Sequence, residues 1–146
     1  MYNFEFVKPS SISEAVTALA DEEATPLSGG QTLLPTMKQR LANPKKLVSL
    51  MGIAEMQGVT EADGTVHIGA ATTHATVATK ARSYPGLAKL AAHIGDPAVR
   101  NRGTIGGSLA NNDPAACYPA AALASNATIV TDSREIAADD YFKGMF

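Results

Sequence analysis

Two short segments built around paired glycines, Ser28-Gly29-Gly30-Gln31-Thr32 and Thr104-Ile105-Gly106-Gly107-Ser108, constrain this chain more than any other feature. Each sets consecutive backbone amides beside a hydroxyl. Glycine reaches positive φ and has no Cβ to hold a ligand off the backbone, so successive N–H groups can form a concave anion site. One glycine pair alone is an ordinary tight turn. Two of them, each flanked by Ser or Thr, predict a pyrophosphate site shared between two parts of the fold.

The remaining composition excludes several classes. At 146 residues the chain is long enough to bury a core without disulfide or metal staples. Its 45% hydrophobic and 18% charged residues are those of a soluble globular protein, and a net charge of −2 argues against a nucleic-acid surface. Met1-Tyr2-Asn3-Phe4-Glu5 lacks the basic, apolar start of a signal peptide. No stretch approaches the roughly 20 apolar residues of a membrane span. A cytoplasmic location is expected, with the lone Cys117 kept reduced and buried as a small side chain.

Along the chain, Phe4-Glu5-Phe6-Val7 alternates as a half-buried strand does, and Lys8-Pro9-Ser10 breaks it. Ser11 followed by Glu14 fits a capping box for a helix carrying Ile12, Ala15, Val16 and Leu19 on one side. Thr25-Pro26-Leu27-Ser28 leads into the first glycine pair, and Thr32 to Leu41 reads as helix, with Pro35 tolerable near its first turn. Lys46 to Leu50 reads as a further strand. Gly58-Val59-Thr60 and Thr65-Val66-His67-Ile68, joined through a Glu61-Ala62-Asp63-Gly64 turn, predict a hairpin and a second lobe. Thr72 or Thr73 can cap the next helix, and Pro85 to Ile94 gives another. After the second glycine segment come a short apolar helix over Pro119 to Leu123 and a hairpin through Asp132-Ser133. No internal repeat or low-complexity tract is present.

Taken in order, Ser28-Gly29-Gly30-Gln31-Thr32-Leu33, then Ile94-Gly95-Asp96-Pro97-Ala98-Val99-Arg100-Asn101-Arg102-Gly103, then Thr104-Ile105-Gly106-Gly107-Ser108-Leu109-Ala110-Asn111-Asn112-Asp113-Pro114, closely resemble the flavoprotein subunits of molybdenum hydroxylases. The resemblance is to the medium chain of aerobic carbon monoxide dehydrogenase and the FAD-binding subunit of xanthine dehydrogenase-like enzymes. It covers essentially the whole chain. It implies an α+β, two-lobed FAD-binding fold of the vanillyl-alcohol oxidase and carbon monoxide dehydrogenase flavoprotein type, without the C-terminal domain. The lobes would be a small α/β unit, residues 1–55, and a second α+β unit, residues 56–146, incomplete at its C-terminus. Family members continue past the Tyr141-Phe142 region, so the resemblance implies a truncated form that lacks part of the isoalloxazine pocket.

Carried over by resemblance, Ser28, Gly29, Gly30, Gln31, Thr32 and Leu33 wrap the pyrophosphate of FAD, and Thr104, Gly107 and Ser108 bind it from the other lobe. Ile94 packs on the cofactor, and Asn111 approaches its adenosine or ribityl part. Cys117 stands where the family has an aspartate, which removes a charged acceptor. The implied function is electron transfer from iron–sulfur clusters through flavin to an external acceptor. The implied partners are a large subunit carrying the molybdenum cofactor and a small 2Fe-2S subunit. An assembly fragment of the same fold without stable FAD binding is the alternative, and a stand-alone nucleotide-diphosphate binder is a third.

No catalytic acid, base or nucleophile is expected, because the isoalloxazine itself carries the redox chemistry. His67, His74 and His93 fall in separate elements without ligands at metal spacing and read as solvated or core-edge side chains. Arg100 and Arg102 read equally as phosphate or partner contacts and as a solvated loop pair, and Asp113-Pro114 as a turn that caps the next helix. Lys38, Arg40, Lys45 and Lys46 read as a wetted face.

Overall fold

The computed structural model describes residues 1–144; the expected second lobe ends on Met145 and Phe146, which lie outside the described residues. A three-stranded parallel sheet begins the fold, formed by β1 (Glu5–Val7), β2 (Ala24–Leu27) and β3 (Lys46–Ser49) with β3 in the centre. Parallel neighbours require crossovers, and the chain supplies α1 (Ile12–Leu19) and α2 (Leu33–Lys38) for them. Ser11 caps α1 by accepting from the Glu14 amide at 3.2 Å. The return half of the expected capping box is displaced by one residue, because the Glu14 carboxylate accepts from the amide and hydroxyl of Ser10 at 2.7 and 2.9 Å. On the sheet's rim, Lys46 reaches Asp21 at 2.5 Å and Glu5 at 3.7 Å, so one basic side chain of the expected wetted face ties three stretches of chain together.

Two antiparallel hairpins follow: β4 (Val59–Ala62) with β5 (Thr65–Ile68), and later β6 (Thr128–Val130) with β7 (Glu135–Ala137). Asp63 and Gly64 both take positive φ, 51° and 76°, the geometry that two-residue hairpin turns demand. Between the hairpins lie α3 (His74–Lys80), α4 (Pro85–Ala92), α5 (Pro97–Arg100), α6 (Ile105–Asn111) and α7 (Cys117–Ala124); α8 (Ala138–Tyr141) comes last. Thr73 caps α3. Thr72, the other candidate, is buried instead, where its hydroxyl accepts from the Gly58 amide at 2.8 Å and donates to the Gly58 carbonyl at 3.0 Å.

The core forms two clusters. Ala15, Val48 and Ile53 pack with Leu19 and Met56 beneath the parallel sheet. Val77, Ala81, Leu87, Ala91 and Tyr118 pack together beside the first hairpin. These separate clusters are the ground on which we propose the lobe boundary near residue 55.

Candidate functional site

An open cleft of about 2360 Å³ runs between the sheet's glycine loop, both hairpins and α6. Ser28, Gly29, Gly30, Gln31, Thr32, Leu33, Thr104, Gly107, Ser108 and Asn111 all line it. Parallel strand β2 ends at Leu27 and delivers the loop to the carboxyl end of the sheet, where ligands of open α/β sheets bind.

The two glycine segments do different jobs. Among the described residues, the amides of Gly29, Gly30, Gln31, Thr32 and Leu33 donate no hydrogen bond. Gly30 holds φ at +71°, which curls these donors into one arc. The second segment departs from the expected free nest. Its Ile105 and Gly106 amides donate to the carbonyls of Thr72 and Ala70 at 3.1 and 2.9 Å, and the Gly107 amide donates to the Thr104 hydroxyl at 3.1 Å. The cause is an antiparallel bridge between Thr73 and Thr104, which stitches the start of α6 to the strand-like stretch before α3. A Cβ on Gly106 would lie 2.5 Å from the Ala70 methyl, so this glycine serves the close approach of two backbones. What the second segment presents to the cleft is side chains: the Ser108 hydroxyl and the Asn111 amide, neither hydrogen-bonded among the described residues.

The segments meet directly. Ser28 Oγ and Thr104 Oγ1 are 2.7 Å apart, and Thr104 is only 2% exposed. The Thr104 hydroxyl therefore makes an internal contact that joins the loop to the α6 cap. Ile94 does not line the cleft. It continues the Leu87, Leu90 and Ala91 face of α4 and packs against the core cluster containing Tyr118. Asp96 caps α5 through the Val99 amide at 2.9 Å, and Arg100 donates to the Ile94 and Gly95 carbonyls at 3.1 and 2.9 Å. This middle motif is therefore a scaffold for Gly103-Thr104.

Other expectations also change. Cys117 is exposed at the start of α7, where no core lies above it. Asp113 accepts from the Ala115 amide at 2.8 Å, forming the turn, while Ala116 occupies the cap position of α7. His74 is a core residue at 5% exposure: its amide is bonded to the Gly103 carbonyl and its ring lies 5.3 Å from that of Tyr118. His74 Nδ1 and the Tyr118 hydroxyl are buried without a partner among the described residues. Burial lowers the His74 pKa and raises that of Tyr118, with the nearby Cys117 adding to the latter. No local sequence pattern marks His74 for burial over His67 or His93.

The charge of the cleft wall is one-sided. Glu55, Glu61, Asp63, Asp113, Asp132 and Glu135 line it, and among the described residues no Lys or Arg does. Negative groups of a ligand must be met by amides and hydroxyls. An arc of five unpaired amides suits a diphosphate oxygen cluster, so the residues present fit the phosphate part of a dinucleotide.

These features define a class: an α+β, two-lobed protein whose cleft offers an arc of unpaired amides suited to the phosphates of a dinucleotide. Residues 2–146 match the family described as FAD binding domain in molybdopterin dehydrogenase, and the chain belongs to that family; FAD is its cofactor. It is 38% identical over 149 residues to the nicotine 6-hydroxylase medium subunit of Paenarthrobacter nicotinovorans, covering 97% of this chain and 53% of that protein. It is 40% identical over 153 residues to the carbon monoxide dehydrogenase medium chain of Hydrogenophaga pseudoflava, covering 98% and 53%. A solved structure of carbon monoxide dehydrogenase from Hydrogenophaga pseudoflava, lacking the Mo-pyranopterin moiety of its molybdenum cofactor, superposes with a TM-score of 0.94 at 39% identity, over 99% of this chain and 53% of that one. The chain thus spans about half the length of the curated relatives it matches.

Proposed function

We propose that this chain forms the phosphate-gripping part of a flavoprotein that relays electrons within a molybdenum-containing oxidoreductase, from iron–sulfur clusters to an external acceptor. The observation that carries the reading is the arc of unpaired amides from Gly29 to Leu33 on the wall of the cleft. These amides would hold the FAD diphosphate, with Ser28 and Thr32 adding hydroxyls from the same loop. Ser108 and Asn111 would reach the cofactor from α6, and Gly29 and Gly107 let the two walls close on it. When bound, the isoalloxazine supplies the electron-accepting chemistry, and the protein contributes binding and orientation.

The names of the relatives support assembly with other subunits: both relatives compared are medium chains or subunits. The partners proposed are a large molybdenum-cofactor subunit and a small 2Fe-2S subunit. Calorimetric titration of the purified chain with FAD and ADP, followed by a flavin absorbance scan, tests the cofactor assignment. Binding of both, with yellow protein after FAD, is expected. A colourless protein that releases no heat with either ligand favours the assembly-fragment alternative. Co-purification from cells expressing candidate partner subunits tests the complex separately.

A further inference from the structure

Four atoms form a hydrogen-bond chain with only one possible direction. The Gly107 amide can only donate, and it donates to Thr104 Oγ1 at 3.1 Å. At the other end the Met51 sulfur can only accept, and Ser28 Oγ lies 3.6 Å from it. Between them, Ser28 Oγ and Thr104 Oγ1 are 2.7 Å apart. Thr104 is almost fully buried, so its hydroxyl proton needs an acceptor inside the protein. Every proton is placed only if Thr104 donates to Ser28 and Ser28 donates to Met51.

The two hydroxyl protons are therefore committed, but unequally. Thr104 spends its proton on a short oxygen–oxygen bond. Ser28 spends its own on a thioether, a weak acceptor. We propose that Met51 is a placeholder acceptor that competes with the ligand: its sulfur takes the Ser28 proton at the mouth of the amide arc, and Ser28 exchanges that weak bond for one to a diphosphate oxygen. Thr104 keeps its bond to Ser28 throughout, so the hydroxyl turns without the two walls separating. Met51 does not line the cleft and acts only through Ser28. The inference rests on the diphosphate reading of the loop.

A double-mutant cycle on the full chain, with ADP as the calorimetric probe and thermal unfolding as the parallel readout, tests it. Ser28→Ala is expected to weaken ADP binding about tenfold. Met51→Leu keeps the side-chain volume, removes the competing acceptor and is expected to tighten ADP binding about two- to fivefold with little change in Tm. In the Ser28→Ala background the Met51→Leu effect should vanish. Thr104→Val should loosen the walls and weaken binding, and Thr104→Ser should restore it. Equal Met51→Leu effects in both backgrounds, or weakened binding in Met51→Leu alone, overturn the relay while leaving the cofactor assignment intact. Failure of the unmutated chain to bind ADP or FAD overturns both.

Discussion

The position a Cβ would take on Gly29 lies 2.0 Å from the carbonyl oxygen of Arg102. The glycine that begins the amide arc is thus also the point where its backbone rests on the segment leading to Thr104.

Because that neighbour is backbone and cannot swing aside, Gly29→Ala must push the two walls apart. A loss of about 1–3 kcal/mol in unfolding free energy is expected, measurable by urea denaturation. ADP affinity should fall with it. An alanine variant as stable as the parent would show that the walls are not held in this contact.

Thr72→Val removes a hydroxyl that satisfies both the amide and the carbonyl of Gly58. The Gly58 carbonyl keeps the Gly69 amide at 3.0 Å, so the loss is that of the Gly58 amide's partner and should cost about 1–2 kcal/mol. Thr72→Ser should recover most of it. Chemical denaturation of the two variants side by side gives the comparison.

The Tyr118 hydroxyl is buried with no acceptor among the described residues. Tyr118→Phe keeps the ring in the core and removes the orphan, so stability at neutral pH should rise by about 1 kcal/mol. A clear loss would mean the hydroxyl has a hydrogen-bond partner. Burial also raises the Tyr118 pKa above its ordinary 10.0, so the folded state resists ionisation that the unfolded chain accepts. That stability is complete below pH 10.0 and is lost as pH rises above it. The phenylalanine variant should show a shallower alkaline decline in Tm, with a residual slope from Tyr141, whose pKa burial also raises.

His74 has the opposite sign. Burial depresses its pKa below the ordinary 6.5, so the unfolded chain takes up a proton that the fold refuses. Its contribution to stability is present above pH 6.5 and declines as pH falls toward the lowered value. Thermal unfolding between neutral and mildly acidic pH should show this decline in the parent, and His74→Gln should flatten it.

The sequence displayed the elements whose signals are local. Alternation marks β1 and Ser11 marks the start of α1, and both stand where their residues predict, while the turn expected over Glu61-Ala62-Asp63-Gly64 tightens to Asp63-Gly64 because Glu61 and Ala62 pair within β4. The first glycine loop was legible for the same reason: strand, glycines and helix follow one another in the chain. The second was half legible. Its glycines are visible, but the carbonyls of Ala70 and Thr72 that take its amides come from a distant stretch with no pattern of its own. Exposure of Cys117 and burial of His74 likewise depend on what the fold lays over them, which neighbouring residues do not encode.

A cleft walled by carboxylates, with no basic side chain among the described residues, has a kinetic consequence for an anionic ligand. Nothing long-ranged draws the phosphates inward, and dissolved ions shield the repulsion they meet on approach. Capture should therefore be slow in dilute buffer and quicken as ionic strength rises, the reverse of ordinary phosphate sites lined with arginine and lysine.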